Sequence, residues 1–187
     1  MDRSAGTGAR ALLRGRLVVH PTDTLYALAA RALDRRAVAR LVVAKGRPGG
    51  RPLSVAVSSV EELERWAELD RAARSFARDE LPGAYTLLLR PTPEARARLA
   101  PEVAGGPTIG LRVPDHPLAQ ELARRAGPIV ATSANRSGEP SPRSLADCRQ
   151  ALRGAGALFL DEPPRPRGVP STIVDLTGPR PRTVPRR

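Results

Sequence analysis

The sequence predicts an α/β or α+β domain in which helices flank a β-sheet. Short apolar, strand-like runs alternate with segments whose apolar residues recur at helical spacing, and this alternation continues along the whole chain. The 187 residues are 41% hydrophobic and 27% charged, which is typical of a folded chain large enough to bury a core. Because neither an internal repeat nor a clear domain boundary interrupts the pattern, we expect a single domain over residues 1–187.

The predicted strands are short runs of apolar and β-branched residues that end at proline, glycine or a polar cluster. Leu53–Val57 alternates as a half-buried strand does, whereas Ile129–Ala131 is apolar throughout, as in a fully buried strand. In chain order the predicted strands are Leu17–His20, Leu53–Val57, Tyr85–Arg90, Thr108–Val113, Ile129–Ala131, Leu158–Leu160 and Ser171–Leu176.

The predicted helices have apolar residues at helical spacing, and several follow a residue that can cap a helix N-terminus. Thr24 and Asp34 are the expected caps of the first two helices, and Ser59–Glu62 forms a capping-box pattern. In chain order the predicted helices cover Leu25–Ala30, Arg35–Ala44, Ser59 to about Leu69, Arg71–Glu80, Glu94–Leu99, Pro117–Arg125 and Leu145–Leu152. We expect Asp161–Pro170, rich in proline, arginine and glycine, to form a mobile loop.

The charge and the amino-acid composition limit the classes of function that this chain can have. The net charge of +12 favours anionic partners such as nucleotides, RNA or acidic surfaces, although scattered arginines are also typical of a solvated surface. A single cysteine, Cys148, excludes a disulfide framework, and two histidines argue against a structural zinc site. These features suit a reducing cytosol, so we expect a cytoplasmic protein. Because we find neither a membrane-spanning apolar run nor a signal peptide, we expect no membrane association.

Two rare residues mark a candidate site. Lys45 is the only lysine among 31 basic residues, and Asn135 is the only asparagine. Because lysine and arginine are not interchangeable at sites with tight geometry, this lysine indicates a need for a compact ammonium group. Residues at i and i+2 of an extended chain share a face, so Lys45 can act with Arg47, and Ser133 with Asn135. These pairs predict a site for an anionic ligand.

Further polar groups follow strand-like runs, where open α/β sheets bind their ligands. The groups are Pro21–Tyr26, with Thr22 and Thr24; Thr108 with Arg112; Thr132–Gly138; and Ser171–Asp175. Each also has a structural interpretation, because threonine, serine and asparagine cap helices and satisfy loop backbone groups, and a strand arginine can be a surface cation. We interpret Asp23 and Asp175 as hydrogen-bonding or capping groups rather than as bases.

The chemistry of this set differs from that of the common nucleotide motifs. The order Lys45-Gly-Arg-Pro48 matches neither a P-loop nor a dinucleotide fingerprint, so phosphates would be held by lysine and arginine side chains. We find neither a Ser–His–Asp set nor an obvious carboxylate pair in the sequence. This pattern favours catalysis by positioning and charge neutralisation, the usual basis of phosphoryl and nucleotidyl transfer.

At these motifs the sequence resembles the YrdC family, the L-threonylcarbamoyladenylate synthases. The resembling features are Pro21-Thr-Asp-Thr-Leu-Tyr26, Lys45-x-Arg-Pro48 with Pro52-Leu53, Pro82-Gly-Ala-Tyr-Thr-Leu87, Thr108 to Pro114, Ser133-Ala-Asn135 with Ser137-Gly138, and Ser171-Thr-Ile-Val-Asp175. They occur in the family's order. Each motif is weak alone, but together they are specific and cover the chain from about residue 10 to 182.

The resemblance implies a single YrdC-like domain, with its core at about residues 10–182 and a twisted mixed sheet around a concave, positively charged cavity. It implies a nucleotidyltransferase that makes threonylcarbamoyl-AMP and pyrophosphate from L-threonine, bicarbonate and ATP. Magnesium would enter with the ATP phosphates, without protein metal ligands, and no organic cofactor is expected. A separate transferase complex would then use the product to form N6-threonylcarbamoyladenosine in tRNA, so tRNA is a conceivable partner of this chain but not a required one.

The resemblance also implies roles for individual residues. The catalytic set would be Lys45, Arg47, Ser133 and Asn135. ATP would contact these residues together with Thr108 and Arg180. Threonine would contact Thr22, Thr24, Tyr26, Arg112, Thr132 and Ser171, with Arg112 pairing its carboxylate.

The sequence departs from the family pattern at two positions. Ala27 replaces a common glycine, and Ala56 replaces a histidine found in some members. We expect any lid to be the Asp161–Pro170 loop.

A non-catalytic RNA- or tRNA-binding module would explain the charge, but 3% aromatic residues provide few stacking platforms. The other rival is a different carbamoyl-transfer enzyme on the same fold, and the single cysteine argues against the zinc modules of such chains.

Overall fold

The computed structural model describes residues 2–46 and 53–185, which contain helices and strands along their whole length. The helices are α1 (Asp2–Leu13), α2 (Arg35–Lys45), α3 (Leu63–Trp66), α4 (Arg71–Glu80), α5 (Pro93–Arg98), α6 (Pro101–Ala104), α7 (Pro117–Ala126) and α8 (Leu145–Ala151). The strands are β1 (Val18–Pro21), β2 (Tyr26–Arg31), β3 (Ser54–Ala56), β4 (Ala67–Glu68), β5 (Tyr85–Pro91), β6 (Ile109–Arg112), β7 (Ile129–Ser133), β8 (Leu158–Phe159), β9 (Thr172–Asp175) and β10 (Arg182–Val184). None of the described helices combines the length and apolarity needed to cross a bilayer.

The strands form one mixed sheet in the order β10-β9-β5-β6-β3-β7-β2-β1-β8, and β4 pairs with the end of β5. The pairs β1–β8, β3–β6 and β5–β9 are parallel, and the other pairs are antiparallel. Helices flank this sheet and bury its apolar side chains. The predicted α/β class, with a mixed sheet between helices, is therefore confirmed.

The two faces of the sheet bury different side chains, because successive strand residues point to opposite faces. Val55, Leu87 and Leu111 lie in the main core, which also contains buried residues of α2, α3 and α4. Their neighbours Ala56 and Ile129 belong to a second cluster, packed under α1 and α7. Farther along this second face, other side chains line the cavity described below.

Most predicted helices form with nearly the predicted boundaries, and the predicted cap Asp34 is confirmed. The Asp34 side chain accepts a hydrogen bond from the Ala37 N–H at 3.0 Å and begins α2. Asp70 caps α4 in the same way, and this helix has the predicted bounds. α7 ends at Gly127, whose positive φ of 79° favours glycine. Local capping chemistry and apolar spacing therefore determine these helices.

The predicted helix after Thr24 is wrong, because Tyr26–Arg31 forms the strand β2. Its neighbours in the sheet are β1 on one side and β7 on the other. Nearly every residue of β2 is buried, so the run is apolar without the alternation of a half-buried strand. Periodicity alone cannot distinguish such a run from a buried helix.

The predicted helix from Ser59 to Leu69 is wrong over most of its length. Only Leu63–Trp66 is helical, and the Glu62 carboxylate accepts bonds from the Ser58 N–H and hydroxyl instead of closing the expected capping box. The chain then becomes extended in β4, which pairs with β5. Tertiary pairing thus overrides the local helical signal.

Three further elements, α1, α6 and β10, were not predicted from the sequence. The alanines of α1 favour a helix, but Gly6 and Gly8 lower its intrinsic helix propensity. It packs closely on α7, because a Cβ at Gly8 would lie only 2.6 Å from Leu122 Cδ2. Packing against the rest of the fold stabilises this helix.

Candidate active site

A cavity of about 550 Å³ lies on the second face of the sheet. Its floor comes from alternate residues of the strands, since Thr86 and Leu88 of β5, and Gly110 and Arg112 of β6, point to the same side. A Cβ at Gly110 would lie 3.4 Å from Thr86 Cγ2 and equally close to the Ser54 Cβ, so glycine keeps the floor open. The polar lining residues are Thr22, Thr24, Tyr26, Lys45, Ser54, Thr86, Arg112, Thr132, Ser133, Asn135, Ser137 and Ser171.

One end of the cavity, the lysine end, consists of Lys45, Ser133 and Asn135. Lys45 is the last residue of α2, which stops at Gly46 in the left-handed conformation with φ 56°. Lys45 is only 3% exposed. Its ammonium donates to Ser133 O at 2.7 Å, Asn135 O at 2.6 Å and Asn135 Oδ1 at 2.9 Å. The end of a helix and the end of β7, far apart in sequence, are thereby joined.

Asn135 is held on both sides of its amide. Ser133 Oγ donates to Asn135 Oδ1 at 2.6 Å, and Asn135 Nδ2 donates to the carbonyl of Glu139. The Ser137 N–H donates to the Lys45 carbonyl at 2.8 Å. Because these bonds link the loop after β7 to the end of α2, the lysine end is a preorganised polar cluster.

A second polar cluster, called the arginine end, consists of Thr24 and Arg112, which line the cavity, and Asp23, which does not. Arg112 Nη2 donates to Asp23 Oδ1 at 2.7 Å, and Nη1 donates to Thr24 Oγ1 at 3.0 Å. The side chains of this ion pair are only 9% and 3% exposed. Thr22 shapes the turn before β2, because its hydroxyl donates to Leu25 O at 2.7 Å and accepts the Thr24 N–H at 3.2 Å.

Further hydroxyl groups line the same cavity. Thr86 Oγ1 lies 2.8 Å from Ser171 Oγ, a contact made across the parallel pair of β5 and β9. The Tyr26 hydroxyl donates to Asp161 Oδ1 at 3.2 Å. Burial, followed by the neighbouring Asp161 carboxylate, raises the pKa of Tyr26 above its ordinary value, so this hydroxyl stays a donor at neutral pH.

The segment after Asp161 borders the arginine end. The N–H groups of Arg167 and Gly168 donate to the carbonyls of Asp23 and Thr24, at 3.2 and 2.8 Å. The ring of His116 contacts Pro164 O at 2.9 Å through Nε2, while its Nδ1 accepts the Leu118 N–H. This segment is therefore tied to the turn before β2; its role as a lid stays a prediction.

The structure brings most of the predicted site residues into one cavity. The residues Thr22, Thr24, Tyr26, Lys45, Arg112, Thr132, Ser133, Asn135 and Ser171 all line it. Thr108, half-buried before β6, and Arg180, exposed in the turn before β10, are not among the lining residues. Arg47 lies outside the described residues.

Sequence reasoning missed three features of the cavity. Ser54, which donates to Ala131 O at 3.0 Å, and Thr86 sit in predicted strands but received no role. The partner of Arg112 was also missed, although the interpretation of Asp23 as a hydrogen-bonding group is confirmed. For Thr86 the available signal was its place in the Pro82–Leu87 motif.

The arrangement suits two anionic groups bound side by side. Two cations, Lys45 and Arg112, line the cavity together with hydroxyl donors and acceptors. Among the described residues no group of three or more His, Cys, Asp or Glu side chains could hold a metal ion.

Known proteins share this sequence and fold. The Sua5/YciO/YrdC family model, described as "Telomere recombination", matches residues 10–187. The threonylcarbamoyl-AMP synthase of Chromohalobacter salexigens is 38% identical, over 94% of this chain and 93% of that protein. The Bacillus subtilis enzyme of the same name is 41% identical, over 89% of this chain and 48% of that protein.

A solved structure agrees with these matches. The crystal structure of Pyrococcus abyssi Sua5 complexed with L-threonine superposes with a TM-score of 0.89 and 35% identity, covering 98% of this chain and 54% of that chain. The sequence-based assignment is thus confirmed: this chain belongs to the Sua5/YciO/YrdC family of threonylcarbamoyl-AMP synthases.

Proposed function

We propose that the cavity is the active site in which L-threonine, bicarbonate and ATP are converted to threonylcarbamoyl-AMP and pyrophosphate. The observation that carries this proposal is the placement of two cations, Lys45 and Arg112, in one cavity lined by hydroxyl groups. A reaction that joins an amino acid to a nucleotide needs two anion sites within reach of each other. Family membership supports the same activity.

The lysine end takes the ATP phosphates in this proposal. Lys45 supplies a compact cation, and Ser133 and Asn135 supply neutral groups that contact nucleotide or carbamate oxygens. Arg47, two residues beyond Lys45, would add a second cation. Magnesium enters with ATP and neutralises phosphate charge. The predicted ATP contacts of Thr108 and Arg180 stay predictions, because neither residue lines the cavity.

The arginine end takes threonine. Arg112 can offer its guanidinium to the substrate carboxylate, the pairing for which a planar fork of donors is suited. Thr22 and Thr24 lie beside it, and Tyr26, Thr132 and Ser171 line the adjoining walls. A L-threonine molecule bound in the Pyrococcus abyssi Sua5 structure supports an amino-acid site in this fold.

The reaction then proceeds between the two ends. The threonine amine adds to the carbon of bicarbonate and gives a carbamate with loss of water. A carbamate oxygen attacks the α-phosphorus of ATP, the bond from this phosphorus to the bridging oxygen breaks, and pyrophosphate leaves. Lys45 and its neighbours stabilise the charge that develops on the phosphate oxygens, and Arg112 keeps the amino acid oriented for attack.

We also propose the cellular setting of this reaction. The chain would act as one YrdC-like domain in the cytoplasm, with its core at about residues 10–182. A separate transferase would move the threonylcarbamoyl group from the product to an adenosine of tRNA. Direct contact between this chain and tRNA is not required by the geometry of the cavity.

Pyrophosphate release tests the proposal. Wild type, Lys45→Ala and the exposed control Arg36→Ala on the same helix are assayed with ATP and magnesium, with and without threonine and bicarbonate. Release that requires both co-substrates, is lost in Lys45→Ala and persists in Arg36→Ala is expected. Folded wild-type protein that releases no pyrophosphate but binds tRNA would instead favour the RNA-binding module.

A further inference from the structure

The carboxylate of Asp23 contacts Arg112 without lining the cavity. Its side chain is 3% exposed, and its second oxygen, Oδ2, is buried. Its Oδ1 accepts from Arg112 Nη2 at 2.7 Å. The carboxylate can therefore act on a bound ligand through the Arg112 guanidinium.

Asp23 and Thr24 hold two different nitrogens of one guanidinium. Thr24 Oγ1 accepts from Nη1 at 3.0 Å, so consecutive residues of one turn bind Nη2 and Nη1. The turn is fixed in its own right, because Arg167 and Gly168 donate their N–H groups to its two carbonyls. The geometry thus places a rigid support behind a long, otherwise flexible side chain.

We propose that Asp23 is a positioning residue that fixes the Arg112 guanidinium in the orientation that binds the threonine carboxylate. This inference rests on the proposed assignment of Arg112 to threonine. A side chain fixed before binding loses less conformational entropy when the substrate arrives. The opposing effect is electrostatic, since the Asp23 charge weakens the attraction of Arg112 for an anion. Positioning and charge therefore predict opposite results when the carboxylate is neutralised.

The test compares Asp23→Asn and Asp23→Glu with wild type in the pyrophosphate-release assay. Positioning predicts that KM for threonine rises about tenfold or more in both variants, while KM for ATP stays near the wild-type value. Asp23→Glu keeps the charge but moves the carboxylate by about 1.5 Å, the length of one added bond. The control is Glu94→Gln, which removes the exposed ion pairs of Glu94 with Arg65 and Arg98, away from the lining residues, and is expected to leave both KM values unchanged.

A double-mutant cycle then asks whether Asp23 acts through Arg112. In an Arg112→Gln background, Asp23→Asn is expected to cause no further rise in KM for threonine. An additive rise would overturn the inference, and so would Asp23→Asn or Asp23→Glu with unchanged or tighter threonine binding. If Asp23→Asn does not fold, the cycle is made with Asp23→Glu instead, alone and in the Arg112→Gln background.

The outcomes separate this inference from the proposed function. If Arg112→Gln leaves KM for threonine unchanged, the assignment of Arg112 to threonine is wrong, and the role of Asp23 falls with it. If Arg112→Gln raises KM for threonine but the Asp23 variants do not, only the positioning role is wrong. Circular dichroism of each variant shows that the compared chains share the native fold.

Discussion

At the lysine end the Lys45 ammonium binds two main-chain carbonyls and one amide oxygen, whereas at the arginine end Arg112 binds a carboxylate and a hydroxyl at 2.7 and 3.0 Å and a main-chain carbonyl, Gly83 O, at 3.5 Å. Main-chain carbonyls are present whatever the neighbouring side chains are. Side-chain acceptors depend on residue identity. The two cations of the cavity are thus held by different kinds of acceptor, mainly main-chain oxygens for Lys45 and mainly side-chain oxygens for Arg112.

This difference has a consequence for mutation. At the lysine end, one nitrogen converges on oxygens 2.6–2.9 Å away, so the shape of the cation itself is critical. At the arginine end, the residues that bind the guanidinium set its orientation. Replacing Asp23 or Thr24 should therefore weaken threonine binding nearly as much as a change in the ligand would. Substitutions that exchange the cation or its support test this contrast.

The largest effect is expected for Lys45→Arg. A planar guanidinium is longer than the ammonium and cannot bring one nitrogen to these acceptors in a site that is nearly closed to solvent. We expect kcat/KM for pyrophosphate release to fall about 100- to 1000-fold, the usual loss when one charge-stabilising donor is removed. The control is the converse exchange, Arg36→Lys, at an exposed position of α2. Near-normal activity of Lys45→Arg would show that charge alone suffices at this end.

Acid should destabilise the folded chain through His20, in β1. The pKa of His20 is lowered to about 4, mainly by burial; the bond between Nδ1 and Pro21 O opposes the shift, and the charges of His116 and Arg112 contribute to it. Below about pH 6.5 the unfolded chain therefore takes up a proton that the folded chain does not. The free energy of unfolding is expected to fall by about 3 kcal/mol for this residue as the pH drops from 7 to 4.

Urea unfolding of wild type and His20→Asn at several pH values measures this contribution. Carboxylates titrate in both proteins, so the difference between their unfolding free energies isolates His20. We expect the variant to be less stable at pH 7 and the gap to close as the pH approaches 4. Parallel curves across this range would mean that His20 is not buried in its neutral form.

A smaller effect is expected for Thr24→Val. Valine preserves the shape of the side chain but removes the acceptor of Arg112 Nη1. Because hydrogen bonds to charged groups contribute roughly 1.5–3 kcal/mol, we expect KM for threonine to rise about tenfold while KM for ATP changes little. Thr7→Val, on the exposed side of α1, is the matched control. Equal changes in both KM values would contradict the division of the cavity into two ends.

The sequence predicted the residues of both ends better than the contacts between them. Lys45 and Asn135 stand out because each is the only residue of its kind, and the ends of predicted strands identify the hydroxyl groups. The helices with side-chain caps, such as α2 and α4, were predicted almost to the residue. Rare residues and capping residues are informative because their chemistry is local.

Features that depend on tertiary pairing were not predictable in the same way. The sequence of β2 has no distinctive period because the strand is buried between two neighbouring strands, and a helix was predicted there instead. The Asp23–Arg112 pair joins residues 89 positions apart, so no spacing rule relates them. Thr86 was placed in a strand, but its contact with Ser171 exists only because β5 and β9 pair in parallel.

This last contact gives the smallest predicted effect. Thr86→Val keeps the shape of the side chain but removes the 2.8 Å hydrogen bond with Ser171 Oγ at the wall between the two ends. Since an ordinary neutral hydrogen bond contributes roughly 1 kcal/mol, we expect KM for threonine to rise about fivefold, with kcat nearly unchanged. The control is Thr172→Val, an exposed position beside Ser171 that does not line the cavity. A larger rise in KM for ATP than for threonine would instead assign this wall to the lysine end.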